Sequence, residues 1–384
     1  MRIVVVGGAG AMARVTIRDL LADAEVEAVI AADRDGPALA QLRSVVDDHR
    51  LVVEQIDVRD EAGLVVLMKR ADVTVNATWY RFNLVVMGAA IKARVPLIDL
   101  GGLYHMTRRQ LAMDPQVREA GILVIPGMGS DPGTSNVLCR WAAGRLDRVR
   151  EIHIRYGSTA GGQTFGFAAS TVLDEASRPA VVVRHGQVVE APPLSDPEEV
   201  RFDPRLGHLT TYTILHSELA TVPRSIPGLQ EMTYKDSWDA AAIARVRALV
   251  ELGLASEEPV ATPWGMVAPR DMLLGMLRHT LREEAPSPGW DELLVRAVGT
   301  RDGVETEVRV EVVSAGDLEG NVTGLAYLTG VPPAIVARMV ARGEVKGAGV
   351  LPPEVCVPPE PYLRELSRRR VEIFETVRAR RRIP

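Results

Sequence analysis

The chain has 384 residues, of which 47% are hydrophobic and 25% charged, as is usual for soluble globular proteins. Collagen-like, disordered and disulfide-scaffold classes are therefore excluded, and the length suits about two or three domains. The 45 lysines and arginines are outnumbered by 50 acidic residues, for a net charge of -5. This balance gives no reason to expect nucleic acid as a partner, so a small molecule is expected.

Cysteine usage and the first residues bear on location. Cys139 and Cys356 are too few for a disulfide framework and too far apart for a metal-ligand pattern, so no metal site is predicted. Residues 1–6 resemble a buried strand and lack the features of an export signal. The long uncharged stretch 157–173 is rich in Gly, Ser, Thr and Gln, which predicts a loop rather than a membrane span. A cytoplasmic protein without membrane contact is expected.

Short apolar runs alternate with amphipathic stretches over the first 130 residues. The runs predict strands at 2–6, 27–32, 51–55, 72–76, 97–100 and 122–125. The stretches between them predict helices at 11–22, 37–46, 61–70, 83–94 and 107–120. Such alternation is typical of a parallel, doubly wound sheet with helices on both faces. The predicted class is α/β, with a Rossmann domain that binds a dinucleotide.

The texture changes near residue 149, where alternating strands are separated by Pro- and Gly-rich connections. The clearest strands lie at 151–156, 180–183 and 304–313. Alternation of this kind favours an antiparallel sheet, so we predict a second, α+β domain with a mainly antiparallel sheet. Helix-like sequence returns at 323–327 and 333–342, and a charged helix is expected over 361–382.

A glycine motif lies between the first strand and the first helix. Gly8, Gly10 and Ala13 fit the pattern G-x-G-x-x-A, in which the second glycine lets the backbone approach a pyrophosphate. Ala11 and Met12 begin the helix, whose amides would bind the anion. The motif predicts a dinucleotide site rather than a structural glycine turn.

Residues after the second and third strands bear on the cofactor. Asp33, at the end of the second strand, follows Ala13 by 20 residues and would accept a hydrogen bond from the ribose 2′-hydroxyl. A carboxylate repels a 2′-phosphate, so NAD is favoured over NADP, although Arg34 could pair with that phosphate. Asp57 and Val58 would lie beside the adenine or in a solvated turn.

Asn76, Ala77 and Thr78 end the fourth strand, at the carboxyl edge where open α/β sheets bind ligands. Their small and amide side chains are expected beside the nicotinamide ribose.

Motifs along nearly the whole chain resemble a known family. They are NATWYRFN (76–83), IDLGG (98–102), PGMG (126–129), DPGTSN (131–136), VRHGQ (183–187), PRSIP (223–227) and GVLPPE (349–354). The chain is similar to the saccharopine dehydrogenase family, and within it to the lysine 6-dehydrogenases. This resemblance implies a Rossmann domain of residues 1–130 completed by 321–384, with residues 131–320 inserted as a domain for substrate binding and oligomerisation.

The resemblance also implies a reaction, the NAD-dependent oxidation of an amino-acid amine to an imine. Two stretches depart from the lysine enzymes. His216 and Glu218 replace small residues, and the segment containing Asp236 is followed by alanines rather than a Gly-His pair. Amine chemistry is therefore implied more firmly than lysine itself. A saccharopine- or opine-type imine reductase and a catalytically silent NAD-binding sensor are the alternatives.

Amine oxidation needs a group that accepts the ammonium proton, because hydride leaves only from a carbon beside a neutral nitrogen. His216, Glu218 and Asp236 are the candidates, and a structural histidine or surface carboxylates are the alternative readings. Asp99, at the tip of the fifth strand, would face the cleft or cap the glycines that follow it.

An amino-acid substrate also needs a cation for its carboxylate, and arginine binds carboxylates through two hydrogen bonds. Arg224 is the candidate because it lies in a matched motif. Lys235 would polarise a carbonyl or hold a carboxylate, Tyr80 would donate to the substrate, and Asp131 would contact it or cap a helix. The long strand at 304–313 favours burial against a second copy, so a homodimer or higher homo-oligomer is expected.

Overall fold

The computed structural model describes residues 1–160, 168–280, 289–317 and 322–381. In chain order the strands are β1 (Arg2–Val6), β2 (Ala28–Asp33), β3 (Leu51–Gln55), β4 (Val73–Asn76), β5 (Leu97–Asp99), β6 (Leu123–Ile125), β7 (Arg148–Ser158), β8 (Ala180–Arg184), β9 (Gln187–Ala191), β10 (Ser195–Arg201), β11 (His208–Thr213), β12 (Glu231–Ser237), β13 (Val260–Thr262), β14 (Gly265–Val267), β15 (Asp291–Arg301), β16 (Val304–Ser314), β17 (Gly349–Val350) and β18 (Glu372–Arg380). The helices are α1 (Ala11–Leu21), α2 (Gly36–Val45), α3 (Glu61–Met68), α4 (Asn83–Ala93), α5 (Leu103–Leu111), α6 (Asp114–Ala120), α7 (Thr134–Ala143), α8 (Ala169–Ser177), α9 (Glu218–Ser225), α10 (Ala240–Glu251), α11 (Pro269–Thr280), α12 (Gly324–Ala341), α13 (Pro353–Cys356) and α14 (Pro359–Ser367), with a 3-10 turn at Tyr80–Phe82.

The first domain is a seven-stranded parallel sheet in the order β17-β6-β5-β4-β1-β2-β3. In β1, Ile3 and Val5 belong to the core cluster that includes α1 and α12, whereas Val4 and Val6 belong to the cluster that includes α3 and α4. Both faces of the strand are therefore buried, which explains its unbroken apolar sequence. The predicted α/β fold class is confirmed.

One predicted helix is divided. The helix expected over 107–120 is two, α5 and α6, and the break comes where Pro115 enters the first turn of α6. Proline lacks the amide that a continuous helix would use there.

The second domain is built on a nine-stranded sheet. Seven strands follow the order β10-β11-β12-β7-β15-β16-β18, and β8 and β9 pair beside β12. The β12–β7 pair is parallel and its neighbours are antiparallel, so the sheet is mixed. The predicted strands at 151–156, 180–183 and 304–313 lie within β7, β8 and β16, whereas β15 is not among the strands singled out from the sequence.

The end of the described chain differs from the prediction. A helix over 361–382 is wrong, because α14 ends at Ser367 and β18 pairs antiparallel with β16. Ile373 and Val377 in β18 are branched at Cβ and favour a strand, and the edge of β16 has amides and carbonyls to satisfy. Hence only β17 of the segment expected to complete the Rossmann domain extends its sheet, and β18 belongs to the second sheet.

Helix α12 joins the two parts of the first domain. The Thr16 hydroxyl in α1 donates to the Gly330 carbonyl at 2.7 Å. A Cβ on Gly330 would lie 2.6 Å from the Met12 carbonyl oxygen, so glycine permits this close packing. By length and composition α12 could cross a membrane, but 72% of it is buried inside the protein, as in a core helix. The predicted boundary at 321 and residues 161–167 of the predicted loop lie outside the described residues.

Candidate active site

The loop between β1 and α1 has the shape that a dinucleotide needs. A Cβ on Gly8 would lie 2.9 Å from the Ala31 Cβ, so the glycine lets the loop pack directly on β2. Gly10 is exposed, and a Cβ there would meet only the Gly7 carbonyl oxygen, at 3.2 Å. Gly10 is also the N-cap of α1, so the amides of Ala11 and Met12 open toward this surface. The residues present therefore fit a pyrophosphate.

Buried Ala13 packs in the core beneath this loop, which is the role of the small third residue of the motif. Asp33 lies at the edge of the loop, where its carboxylate accepts from the amides of Ala9 at 3.2 Å and Asp35 at 3.1 Å. These two bonds fix the carboxylate and leave further lone pairs for a ribose hydroxyl. Arg34 beside it is exposed.

The residues that follow β3 make their contacts with nearby parts of the chain. The Arg59 guanidinium and amide donate to Asp57, and these hydrogen bonds hold the pKa of that carboxyl well below its usual range. Val58 packs partly against the core. The solvated-turn alternative describes Asp57 well, and contact between Val58 and the adenine stays a prediction.

Two buried side chains fix the carboxyl edge of the parallel sheet. Asn76 donates to the Asn83 side chain at 2.9 Å and accepts from the Thr78 hydroxyl at 2.6 Å, so it shapes the loop after β4. Ala77 and Thr78 are the partly exposed residues of that loop.

Both oxygens of the Asp99 carboxylate accept hydrogen bonds. Its Oδ1 accepts from the amides of Gly101 and Gly127, and its Oδ2 accepts from Gln110 at 2.6 Å. Burial raises its pKa despite these donors. Asp99 therefore holds together the loops after β5 and β6, and the geometry matches the capping alternative.

Five polar side chains meet where this edge faces the second domain. His216, in the loop after β11, hydrogen-bonds through Nδ1 to Glu218, the first residue of α9. The imidazole stacks on the Tyr234 ring, with centroids 3.7 Å apart and planes 4° from parallel. The Tyr234 hydroxyl donates to Asp131, and Ser135 donates to the other Glu218 oxygen at 2.6 Å.

This arrangement orients the ring, and among the described residues only Nδ1 of His216 has a recorded hydrogen-bond partner. The His216 side chain is 9% exposed and Glu218 is 0% exposed, so the pair sits in a medium of low dielectric. Among the described residues no three His, Cys, Asp or Glu side chains are arranged to hold a metal ion.

Burial and neighbouring charges raise the pKa values of the titratable groups in the cluster. Burial alone would lower the pKa of His216, but the carboxylates of Glu218, Asp131 and Glu175 outweigh it and raise that pKa to about 9. Burial raises the pKa of Asp131 to about 6 and that of Glu175 to about 8. Burial and the Asp131 charge also raise the pKa of Asp236 well above its usual value. Such perturbed groups in a cleft mark a functional site.

Tyr80 connects the two domains. Its hydroxyl donates to Asp174, a fully buried residue of α8 that also accepts from Arg81, Arg178 and Arg270. Burial and the Asp174 carboxylate raise the pKa of Tyr80 to about 12, so it stays neutral.

A cavity of about 370 Å³ opens beside this contact. Its walls come from the turn after β4, from α5, from Arg178 after α8, and from Leu215, the neighbour of His216. The cavity therefore adjoins the His216 cluster at the carboxyl edge of the sheet, where such folds bind ligands.

Two predicted substrate residues lie elsewhere. Lys235 neighbours Tyr234 in β12 and so points to the opposite face of the sheet, where it bonds Asp196 and Glu198. Arg224 is exposed near the end of α9. The other predicted substrate residues, Tyr80 and Asp131, are in the cluster or beside it.

Several residues of the site have no signal in the sequence. Glu175 is buried and its Oε2 has no hydrogen-bond partner in the described part of the chain. Asp174 and Glu175 lie in α8, which is not among the elements singled out from the sequence, and Ser135 lies in the DPGTSN motif but is not among the predicted site residues. Glu354 accepts from Asn136 at 2.8 Å and from Ser225 at 2.7 Å, and it ties α7 and α9 together beneath the cluster.

Comparison with known proteins gives matches over nearly the whole chain. Residues 3–125 match the saccharopine dehydrogenase NADP binding domain, and residues 129–371 match the saccharopine dehydrogenase C-terminal domain. The chain belongs to the saccharopine dehydrogenase family.

Individual relatives of the saccharopine dehydrogenase family are distant. The chain is 23% identical over 382 residues to carboxyaminopropylagmatine dehydrogenase of Synechocystis sp., with 95% of each chain covered. It is 25% identical over 339 residues to carboxynorspermidine synthase of Vibrio cholerae, covering 82% of this chain and 80% of the relative. The apo saccharopine dehydrogenase (L-Glu forming) of Saccharomyces cerevisiae has a TM-score of 0.77 at 18% identity, covering 98% of this chain and 100% of that one.

Membership of the saccharopine dehydrogenase family confirms the predicted class of protein. The chain is an NAD(P)-binding oxidoreductase, a dehydrogenase that acts on amine donors, CH–NH2 or CH–NH.

Proposed function

We propose that the protein interconverts a secondary amine and an imine, and so joins a carbonyl-bearing amino acid to a second, cationic amine. The carbonyl and the primary amine condense to an imine with loss of water. Addition of a hydride to the imine carbon and a proton to its nitrogen gives the secondary amine, and oxidation reverses these steps. A bound nicotinamide supplies or accepts the hydride.

The observation that carries this proposal is the buried His216–Glu218 pair beside Asp131, Glu175 and Asp236. In the reductive direction the charged His216 ring donates the proton that the imine nitrogen needs. In the oxidative direction the neutral ring accepts the proton of the substrate ammonium. Glu218 stabilises the charged ring and fixes its orientation, as the carboxylate of a catalytic pair does.

The surrounding carboxyl groups favour a cationic substrate. Glu175 offers a buried oxygen without a partner among the described residues, and its raised pKa reflects the cost of charging it alone. An ammonium group of the substrate would offset that cost. The names of the two relatives denote carboxylated amines, which supports a substrate of this kind.

Oxidative deamination of lysine is the narrower alternative. His216 and Glu218, which replace small residues of the lysine enzymes, both lie in the cluster. A pocket reshaped at those positions favours an amine other than lysine. For the cofactor we propose NAD over NADP, because the fixed Asp33 carboxylate would repel a 2′-phosphate.

The test is to supply aspartate semialdehyde with each of several amines, namely 1,3-diaminopropane, putrescine and agmatine, and to follow oxidation of NADH and of NADPH. Amine-dependent oxidation of the cofactor, with a secondary amine found by mass spectrometry, is expected. A parallel assay offers L-lysine and NAD at alkaline pH without a second amine. Turnover there alone would support the lysine alternative, and no turnover in either assay would support the silent sensor.

The His216→Gln variant shows whether the cluster carries the reaction. We expect its turnover to fall by about two to four orders of magnitude with NAD binding unchanged. Turnover within tenfold of the wild type would contradict the role given to His216.

A further inference from the structure

The cavity beside Tyr80 carries an excess of positive charge. Arg81 and Arg178 line it, and both pair with the buried Asp174 and with Glu257. Arg270 pairs with the same two carboxylates. Three guanidinium groups thus share two carboxylates. The ion pairs fix the arginine side chains, and one positive charge is left in excess at the wall.

Arg109 adds a further cation. It lies in α5 and lines the same cavity as Arg178, and it has no ion-pair partner among the residues that the structure describes. His105, one turn earlier in α5, also lines the cavity. A guanidinium with an open fork on a positively charged cavity is suited to bind a carboxylate through two hydrogen bonds.

Apolar side chains complete the walls. Leu103 and Met106 come from α5, and Leu215 adjoins His216. A ligand bound here would have its anionic end at Arg109 and a short apolar chain leading to the His216 cluster. The volume of about 370 Å³ is at the lower end for a small-molecule site and suits a small amino acid.

We propose that this cavity binds the carboxylate of the amino-acid part of the substrate, with Arg109 as its ion-pair partner. The proposal rests on the proposed function, in which an amino acid is joined to a second amine. It divides the site by charge, with the carboxylate at the arginine wall and the ammonium groups at the carboxyl groups around His216. Arg224, the arginine that the sequence suggested, has no part in it.

Calorimetric titration tests the proposal without turnover. The probes are glutarate, its uncharged match glutaramide, and inorganic phosphate, at constant ionic strength. The variants are Arg109→Gln and, as a matched control, Arg108→Gln. Arg108 is also exposed on α5 but lies over the Tyr104 ring, outside the cavity lining.

We expect the wild type and the Arg108 variant to bind glutarate with similar affinity, and the Arg109 variant to bind it about tenfold more weakly or worse. Equal binding by both variants, no binding of glutarate to the wild type, or equal binding of glutaramide would overturn the proposal. Tighter binding of phosphate than of glutarate would overturn the carboxylate assignment. NAD titration shows whether each variant is folded, because its site is the β1–α1 loop.

The experiments distinguish a failure of the proposed function from a failure of the proposed carboxylate site. If glutarate binds through Arg109 but no amine is turned over, the proposed function is wrong and the anion site remains. If amines are turned over and the Arg109 variant has an unchanged KM for the carboxylated substrate, the carboxylate site is wrong. When both hold, that KM rises while kcat changes little, and a substrate analogue without the carboxylate is used equally by both proteins.

Discussion

Replacing Glu218 by Gln tests how the buried pair controls proton transfer. Gln keeps the length of the side chain and its contact with Ser135, but it removes the charge that faces Nδ1 of His216. The folded protein holds the pKa of His216 at about 9, against an ordinary value of 6.5. A difference of this size corresponds to about 3 kcal/mol in favour of the charged ring.

Without the Glu218 carboxylate, burial opposes charging with less to offset it, although Asp131 and Glu175 remain. We expect the pKa of His216 to fall by about two, to about 7 or lower. At about pH 8 roughly nine in ten rings are charged in the wild type, and about one in ten would be charged in the variant. Reductive turnover at that pH should therefore fall about tenfold from this cause alone.

The assay is the pH dependence of kcat/KM in both directions. In the wild type, reduction should decline and oxidation should rise as the pH passes about 9, and in the variant both changes should occur at lower pH. Glu151→Gln is the matched control. Glu151 also contacts a histidine, His153, but this pair lies on the face of the sheet opposite the His216 cluster. An unchanged profile in the Glu218 variant would refute the role of the pair.

Three further predictions concern charge, cofactor and assembly. Burial raises the pKa of Glu175 to about 8, so its contribution to stability is fully present below its ordinary pKa and is lost as the pH rises through about 8. Near pH 9 the Glu175→Gln variant should thus unfold at a higher temperature than the wild type, with a free energy of unfolding that is larger by about 1–3 kcal/mol. Equal stability of the two proteins at that pH would contradict the cost of charging Glu175. Asp33→Ala should weaken NAD binding by about 1–3 kcal/mol, and tighter NADP than NAD binding by the wild type would show that Arg34 prevails. We also propose self-association through the second domain, and light scattering that gives the mass of one chain, 41.7 kDa, would contradict it.

The Rossmann domain could be predicted because its signals are local. The central strand β1 is buried on both faces and is therefore apolar from Ile3 to Val6, and the glycine motif is a short pattern of neighbouring residues. The predicted strand at 2–6 coincides with β1, and the glycine motif lies at the start of α1. Such features depend on residues that are close in sequence, so they can be predicted without knowing the rest of the fold.

The last strand shows where local signals mislead. A run of arginines after Ser367 is compatible with a solvated helix, and helical propensity favours that reading. The free edge of β16 decides otherwise, because β18 satisfies its backbone groups over nine residues, from Val313 to Glu305. That edge exists only once the second sheet has formed, so the tertiary context overrides the propensity.

The active site combines both situations. His216 and Glu218 are two residues apart at the start of α9, so their contact is local and the sequence could suggest them as proton carriers. Their environment is not local, because Asp131, Glu175 and Tyr234 arrive from a loop, a helix and a strand far apart in the chain. That environment raises the pKa of His216 from an ordinary value to one near that of a substrate ammonium. In the proposed function the second domain provides the proton-transferring groups and the Rossmann domain binds the cofactor. Contacts such as the hydrogen bond from Tyr80 to Asp174 join the two domains.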